Sequence, residues 1–232
     1  MATDHDSKTV AEHSGAPRRR ETATPPERIQ AMLGRVPAGA DRILDLGCVR
    51  HSAQRRTRGD LHSQLVQRTD ADVIGIDTAV EGVEAMRKNG YEVRTGDATA
   101  FDFNEPFDAI VAGDIIEHLD RPGSMLECAR RNLAPDGRLV LSTPNVWCWF
   151  FTVQSLRGNV HCNTEHTCWY DSRTLTQLLN RKGFSVTDMT ELVTVPSSVG
   201  QAPLRAAFRA IGKLPLSKAQ RAPTLVAAAT PK

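Results

Sequence analysis

Short apolar runs alternate with helical segments along most of this chain, and this alternation limits the fold more than any other feature. Nearly continuous apolar runs are typical of parallel strands that are covered on both faces. Strands separated by helices require right-handed crossovers, so the pattern predicts a three-layer, doubly wound α/β sheet. The five runs that carry this prediction are DRILDLG (41–47), DVIGID (72–77), YEVRTGD (91–97), FDAIVAGD (107–114) and GRLVLSTP (137–144).

Helical periodicity lies between the strands and after them. An amphipathic helix is predicted after Pro26, and further helices are predicted between the second and third strands and between the fourth and fifth. Another helix should run from about Asp171 to Lys182, with Asp171 or Ser172 as its N-cap and Gly183 after its end. Two more strands are predicted at FSVTDMTELV (184–193) and PTLVAAAT (223–230).

The length and composition fit one domain. A chain of 232 residues with 40% hydrophobic residues can bury an ordinary α/β core. Residues 1–24 are rich in Ser, Thr, Pro and charged residues without periodicity, so we expect a disordered tail there. Residues 25–232 should form a single domain, with insertions at about 145–170 and 195–221 on the side where an acceptor would bind.

Cysteine usage and hydropathy indicate the compartment. The five cysteines form no CxxC pair, which is typical of reduced thiols in a cytoplasmic protein. The start of the chain lacks the apolar centre of a secretory signal, and no apolar run approaches the roughly 18 residues that span a bilayer. We therefore expect a cytoplasmic protein without a transmembrane segment. The net charge of +2 does not favour nucleic acid as a partner.

Polar residues collect where the predicted strands end. Four successive strands end at or next to an aspartate, and the ligands of open α/β sheets bind beyond the carboxyl ends of the strands. A single aspartate after a strand is usually a helix cap. Four in succession favour a binding site, because parallel strands bring their carboxyl ends to one edge of the sheet. The four are Asp45, Asp77, Asp97 and Asp114.

The glycine pattern after the first strand indicates which nucleotide is bound. Dinucleotide enzymes use GxGxxG to bring a helix N-terminus to a pyrophosphate, whereas this turn, GCVRHS (47–52), has one glycine. This argues against NAD or FAD and is compatible with S-adenosylmethionine, which has no phosphate; Asp77 would then lie at the ribose hydroxyls and Asp97 near the adenine amino group. The predicted cofactor-binding residues are Asp45, Gly47, Cys48, Asp77, Thr78, Asp97, Ala98, Gly113 and Asp114.

From about residue 41 to 193 the chain resembles the Rossmann-like S-adenosylmethionine-dependent methyltransferases, in the branch with ubiquinone-biosynthesis-type and sugar O-methyltransferases. ILDLGC, GID and RTGDA match the first three motifs of the family, and FDAIVAGDIIEHLDRP and LAPDGRLVLSTPN match the fourth- and fifth-strand motifs. The resemblance implies a seven-stranded sheet that is mostly parallel, with an antiparallel final strand. One departure is Val49, where the family usually has glycine; a long basic loop follows it.

The histidine next to the fourth strand suggests how the acceptor hydroxyl is deprotonated. Methyl transfer from a sulfonium is an in-line displacement that depends mainly on alignment, but a neutral hydroxyl also needs a base. Histidine suits that role near pH 7. The segment DIIEH (114–118) lies where the methyl group should be. We predict that His118 is the general base in a catalytic group with Glu117, and that His166 or Glu165 orients the acceptor, a hydroxyl of a small molecule or glycan.

The same segment allows a second interpretation. Its D-x-x-E-H pattern and a distant histidine are similar to the metal-binding set of small-RNA terminal 2′-O-methyltransferases. One divalent ion would then polarise the acceptor hydroxyls. We favour cofactor binding and helix capping by the two carboxylates over this metal site. The residues concerned are Asp114, Glu117, His118 and His166 (or His161).

Two segments should lie near the acceptor. The first, at about 145–170, contains aromatic residues, whose ring faces suit the binding of sugars, flat rings or lipid chains, or simple packing in the core. The segment PLRAAFRAIGKL (203–214) is an amphipathic helix with a basic row of Arg205, Arg209 and Lys213, which either covers the domain or contacts an anionic membrane surface. The aromatic residues are Trp147, Trp149, Phe150, Phe151, Trp169 and Tyr170.

Other classes of function are left open by the sequence. A basic loop at 50–58 and a basic C-terminal region would suit an RNA methyltransferase, although the chain shows no RNA-binding module. The altered glycine turn would also suit a non-catalytic subunit that binds an adenosyl ligand. Methylation of a sugar carboxylate, which needs no base, is an alternative to methylation of a hydroxyl.

Overall fold

The computed structural model describes residues 25–49, 60–158, 163–195 and 201–232, in which seven strands form one sheet of order β3-β2-β1-β4-β5-β7-β6. The last strand is antiparallel to both of its neighbours, and the other six strands run parallel to one another. The predicted fold class is therefore confirmed. The strands are β1 (Arg42–Leu46), β2 (Asp72–Asp77), β3 (Val93–Thr95), β4 (Phe107–Gly113), β5 (Leu133–Pro144), β6 (Phe184–Leu192) and β7 (Thr224–Pro231).

Helices connect and flank these strands. The segments predicted as insertions contain the helices Trp149–Leu156, Ala202–Ile211 and Lys218–Arg221. Within the described residues no helix is long and apolar enough to cross a membrane. The helices are α1 (Glu27–Leu33), α2 (Leu61–Arg68), α3 (Val80–Lys88), α4 (Pro122–Asn132), α5 (Trp149–Leu156), α6 (Ser172–Arg181), α7 (Ala202–Ile211) and α8 (Lys218–Arg221), with a 3₁₀ turn at Ile116–His118.

Both faces of the central strands are buried, as the apolar runs predict. Successive side chains of a strand point to opposite faces, so neighbouring residues enter different cores. On one face Ile43 packs with Met32 of α1 and Leu65 of α2. On the other face Leu44 belongs to a larger core with Met125 of α4 and with Leu175 and Leu179 of α6. The sheet therefore lies between two helical layers.

Some element boundaries differ from the prediction. Strand β5 begins at Leu133 instead of Gly137, because α4 ends at Asn132, whose side chain donates to the Cys128 carbonyl and accepts from the Phe103 amide. Helix α2 was not predicted, because its buried positions include the polar residues His62, Ser63 and Gln64 and hide the apolar period. Helix α5 was also missed, since none of its residues is buried and its sequence shows no clear amphipathic period.

The start of α6 agrees with the sequence. Asp171 is the N-cap, and its carboxylate accepts from the amides of Arg173 (2.7 Å) and Thr174 (2.9 Å). Gly183 follows the helix with φ of +82°. The tail at 1–24, the basic loop at 50–58 and His161 lie outside the described residues.

Val49 is accommodated by a glycine on α3, the helix that follows β2. A Cβ atom placed on Gly82 of α3 would lie 2.2 Å from Cγ1 of Val49, far inside van der Waals contact. The valine that stands where the family usually has glycine therefore occupies space that Gly82 leaves open. Helix α3 and the turn after β1 are held together by this contact.

We expect Gly82→Ala to destabilise the fold by about 1–3 kcal/mol, because the added methyl group overpacks this contact. The double variant Val49→Ala/Gly82→Ala should recover most of that loss. Urea unfolding of the two single variants, the double variant and the parent measures the coupling. If the double variant instead loses the sum of the two single losses in unfolding free energy, the contact with Val49 is not the reason why position 82 requires glycine.

Candidate active site

A cavity of about 1030 Å³ opens beyond the carboxyl ends of the first four strands. Strand β1 pairs with β2 on one side and β4 on the other, so the connections diverge at this point. Open α/β sheets bind ligands there. The structure brings all nine predicted cofactor-binding residues to the wall of this cavity, namely Asp45, Gly47, Cys48, Asp77, Thr78, Asp97, Ala98, Gly113 and Asp114.

The turn after β1 requires its glycine. Gly47 has φ of +74°, a conformation that residues with a Cβ atom rarely adopt. A Cβ atom there would also lie 2.8 Å from Cδ1 of Ile115. The amide of Gly47 donates to the Ile76 carbonyl at 2.9 Å. The backbone of this turn is therefore exposed to the cavity in one fixed conformation.

Asp77 links this turn to the next helix. Its side chain is buried, with Oδ2 accepting from the Val49 amide and Oδ1 accepting from the Ala79 amide, both at 2.9 Å. Each carboxylate oxygen can accept a further hydrogen bond, so these bonds are compatible with ribose binding. Asp97 is exposed, and its Oδ1 accepts from the amide and the hydroxyl of Thr99.

His62 is a cavity residue that the sequence did not reveal. It is 1% exposed, and Nδ1 lies 3.2 Å from Oδ2 of the buried Asp45. Burial raises the pKa of Asp45, and the bond to His62 opposes that rise. Nε2 of His62 has no hydrogen-bond partner within the described part of the chain. A buried polar atom of this kind in a cavity wall fits a bound polar ligand.

Arg28 was also missed, because nothing in the sequence connects α1 with the end of β4. Its Nη1 lies 3.3 Å from Oδ2 of Asp114 and donates to the Ser142 hydroxyl at 2.9 Å. That hydroxyl donates to Oδ1 of Asp114 at 2.7 Å. Asp114 has φ of +51°, a conformation that costs on the order of 1 kcal/mol. The two partners hold its carboxylate at the cavity in that strained conformation.

Glu117 lies behind the cavity wall. This residue is buried, at 2% exposure, and its Oε2 accepts a hydrogen bond from the Thr143 hydroxyl at 2.9 Å. Burial, and secondarily the charge of Asp114, raises the pKa of Glu117 to about 8, although the hydrogen bonds and Arg28 oppose this. Glu117 is not among the described residues that line the cavity. A direct contact between Glu117 and the acceptor therefore lacks support from the geometry.

His118 and Glu165 line the cavity together. Nδ1 of His118 lies 3.9 Å from Oε2 of Glu165, within ion-pair distance. The His118 ring packs edge-on against that of His166 with 4.6 Å between centroids. Desolvation and the neighbouring His118 lower the pKa of His166. Potential ligand atoms of Glu117, His118 and His166 all lie within 4.8 Å of one another.

Four of the six predicted aromatic residues pack against one another, and the other two, Tyr170 and Trp147, do not belong to that cluster. Tyr170 belongs to the buried core, and Trp147 is exposed and donates to Asp171. The others form a chain of edge-on and tilted ring contacts that runs from α7 to His166. Its successive members are Phe208, Trp149, Phe150, Phe151, Trp169 and His166.

The raised pKa of Glu117 predicts how stability depends on pH. Its pKa in the fold is above the unfolded value, so the stability it contributes is complete below about pH 4.5 and is lost as pH rises through 8. Glu117→Gln should therefore become more stable than the parent at pH 9, by on the order of a few kcal/mol. Urea unfolding with chelator at pH 5, 7 and 9 tests this. Glu127→Gln, at an exposed position, is the control. If the unfolding free energies of Glu117→Gln and the parent change with pH in the same way, the raised pKa of Glu117 is contradicted.

Comparison with known proteins identifies the fold family. The family model described as a methyltransferase domain matches residues 17–188. A solved S-adenosylmethionine-dependent methyltransferase from Archaeoglobus fulgidus superposes with a TM-score of 0.60 at 17% identity, covering 88% of this chain and 91% of the other. Magnesium protoporphyrin IX methyltransferase from Synechocystis PCC 6803, solved with bound S-adenosylhomocysteine, gives 0.56 at 16% identity, covering 88% and 80%.

A curated relative comes from the predicted branch. The ubiquinone biosynthesis O-methyltransferase of Xylella fastidiosa is 30% identical over 128 residues, which covers 52% of this chain and 48% of the relative. The chain thus spans about half the length of that protein. Since the methyltransferase-domain model matches most of the chain, and the sheet has the expected seven strands with an antiparallel last strand, the chain belongs to the Rossmann-like, class I S-adenosylmethionine-dependent methyltransferases.

Proposed function

We propose that this protein transfers the methyl group of S-adenosylmethionine to a hydroxyl group of a small molecule or glycan. The observation that carries the proposal is that the four strand-end aspartates and His118 line one cavity. The O-methyltransferase relative supports oxygen as the acceptor atom. The modest net charge of +2 supports a small acceptor over a nucleic acid.

We also propose that residues 25–232 act as one methyltransferase domain in the cytoplasm. Both cores include residues of the central strands and of helices on either side, which supports a single unit. The described cysteines are free thiols, which supports a reducing compartment.

The cavity wall has the chemistry that the cofactor requires. S-adenosylmethionine, when bound, supplies an electrophilic methyl group on a positively charged sulfur. Asp77 offers carboxylate oxygens to the ribose hydroxyls, and Asp97 offers its own near the adenine. The orphan Nε2 of His62 and the carboxylate of Asp114 are left for the polar end of the cofactor. The backbone of Gly47 allows close approach.

His118 is the group that removes the acceptor proton in this proposal. With Nδ1 facing the Glu165 carboxylate, Nε2 is the nitrogen that takes the hydroxyl proton. The carboxylate stabilises the imidazolium that forms and fixes the ring orientation. His166 packs against the ring and limits its rotation. Glu165 and His166 are thus positioning residues for His118.

Replacing His118 with Gln should lower kcat by about 10²–10⁴-fold, because the base is lost while the shape of the side chain is kept. The dissociation constant for S-adenosylhomocysteine should stay within about twofold, since the cofactor contacts are made by other residues. Release of labelled methyl group from the cofactor into metabolite extracts, together with calorimetry, measures both quantities. Glu165→Gln is the milder companion variant and should shift the pH profile of kcat. Full turnover by the His118 variant would end the assignment of the base.

Metal-assisted methylation is a second candidate, which the short distances among Glu117, His118 and His166 favour. One carboxylate and two imidazoles are a reasonable ligand set for Mn²⁺ or Fe²⁺. These residues would hold the ion, which would lower the pKa of an acceptor hydroxyl. His118 would then be a ligand instead of a base.

Metal content separates the two candidates. A metal site predicts about one divalent ion per chain in purified protein, loss of turnover with chelator, and loss of the ion in His166→Ala. General-base catalysis by His118 predicts turnover that chelator leaves unchanged. Elemental analysis and activity assays before and after chelation measure these outcomes.

A further inference from the structure

Helix α7 is fixed in place by its apolar face. Phe208 is 5% exposed, and its ring centroid lies 5.0 Å from that of Trp149 and 5.8 Å from that of Phe150. Just after the helix, the Gly212 carbonyl accepts from Nη1 of Arg221 at 3.0 Å. Phe208, the one buried residue of α7, is therefore used inside the fold. The orientation of the remaining faces of α7 follows from this packing.

The fixed orientation places two arginines at the cavity. Arg205 and Arg209 are one helical turn apart, and both line the cavity that His118 and Glu165 also line. Arg205 is half-buried and Arg209 is exposed. Lys213, the third residue of the basic row, is exposed and is not among the described residues that line the cavity. The basic row therefore divides into two cavity residues and one surface residue.

Charge is unevenly distributed around this cavity. The strand ends provide a row of carboxylates, which suits a cationic sulfonium. The third arginine of the cavity, Arg28, is engaged with Asp114 and Ser142. The guanidinium groups of α7 come from a different element, in the segment that follows β6. A guanidinium group matches carboxylate and phosphate oxygens in charge and can donate two parallel hydrogen bonds to them.

We propose that the acceptor carries an anionic group, a carboxylate or a phosphate, in addition to the hydroxyl that is methylated, and that Arg205 and Arg209 bind that group. This inference rests on the proposed methyl transfer in the same cavity. The anion would anchor one end of the acceptor at α7, while the hydroxyl reaches His118. Neutral analogues of the acceptor would lack that contact and would bind more weakly.

Binding without turnover tests the anion site directly. Protein saturated with S-adenosylhomocysteine is titrated in a calorimeter with 4-hydroxybenzoate, with phenyl phosphate, and with the neutral 4-hydroxybenzamide. At least one anion should bind about tenfold more tightly than the amide, and the stronger of the two identifies carboxylate or phosphate as the group. Equal affinity for all three compounds, or binding of none, overturns the proposal.

Variants assign the effect to the arginines. Arg205→Ala/Arg209→Ala should abolish the preference for the anion, and Arg209→Gln alone should weaken it if the double variant fails to fold. Lys213→Ala is the matched control, because it removes one positive charge of the same row outside the cavity wall. An anion preference that survives in the folded variants would overturn the proposal.

Two further measurements exclude other roles for these arginines. Weaker binding of S-adenosylhomocysteine in the variants would show that they serve the cofactor, and would overturn the inference. Loss of binding to vesicles that contain phosphatidylglycerol, with unchanged affinity for the anions, would show a membrane role and would also overturn it.

A turnover assay separates this inference from the proposed function. With labelled cofactor and a metabolite extract, the labelled product should be retained on an anion-exchange column at pH 8. Label in the neutral fraction would overturn the inference and leave methyl transfer intact. Complete absence of transfer would count against the proposed function, and the calorimetric titrations would still decide whether α7 forms an anion site.

Discussion

The parallel pairing of β1 with both β2 and β4 is the constraint on which the rest of the structure depends. Leu46 pairs with Ile76 on one side and with Ala112 on the other, so three strands end at the same level. Their crossover helices must leave in different directions, which keeps the carboxyl edge open. Backbone and side-chain polar groups at that edge would be costly if they were buried without partners. An open cavity with polar walls is therefore a consequence of the strand order.

The carboxylates at that edge have two kinds of partner. Asp77 and Asp97 accept from nearby backbone amides, so they shape the turns as well as the cavity wall. Asp45 and Asp114 are held by more distant side chains, His62 and Arg28. Asp97 and Oδ1 of Asp77 are thus held within their own segments, whereas Asp45, Asp114 and Oδ2 of Asp77 are held by packing between elements. The wall of the candidate cofactor site is therefore organised both by local chain geometry and by the packing of separate elements.

Much of this arrangement could be predicted, because it depends on local patterns. The strand runs and the aspartates after them lie within a few residues of one another, and parallel pairing makes their relative positions nearly independent of detail. The burial of Glu117 could not be predicted, because the 3₁₀ turn Ile116–His118 is too short to show a periodic pattern in the sequence. The space at Gly82 for Val49 was equally hidden, because two residues far apart in sequence fit together only after α3 packs on the sheet.

The sequence by itself determined the class of fold, the edge of the sheet where the cavity lies and the family to which the chain belongs. Hydrophobic periodicity and strand-end residues are properties of contiguous segments, so they can be read before folding. Only the tertiary structure decided that Arg28, His62, Arg205 and Arg209 line the cavity and that Glu117 does not. These positions depend on how separate helices pack against the sheet, and such contacts are set by shape across long sequence distances, which no local pattern encodes.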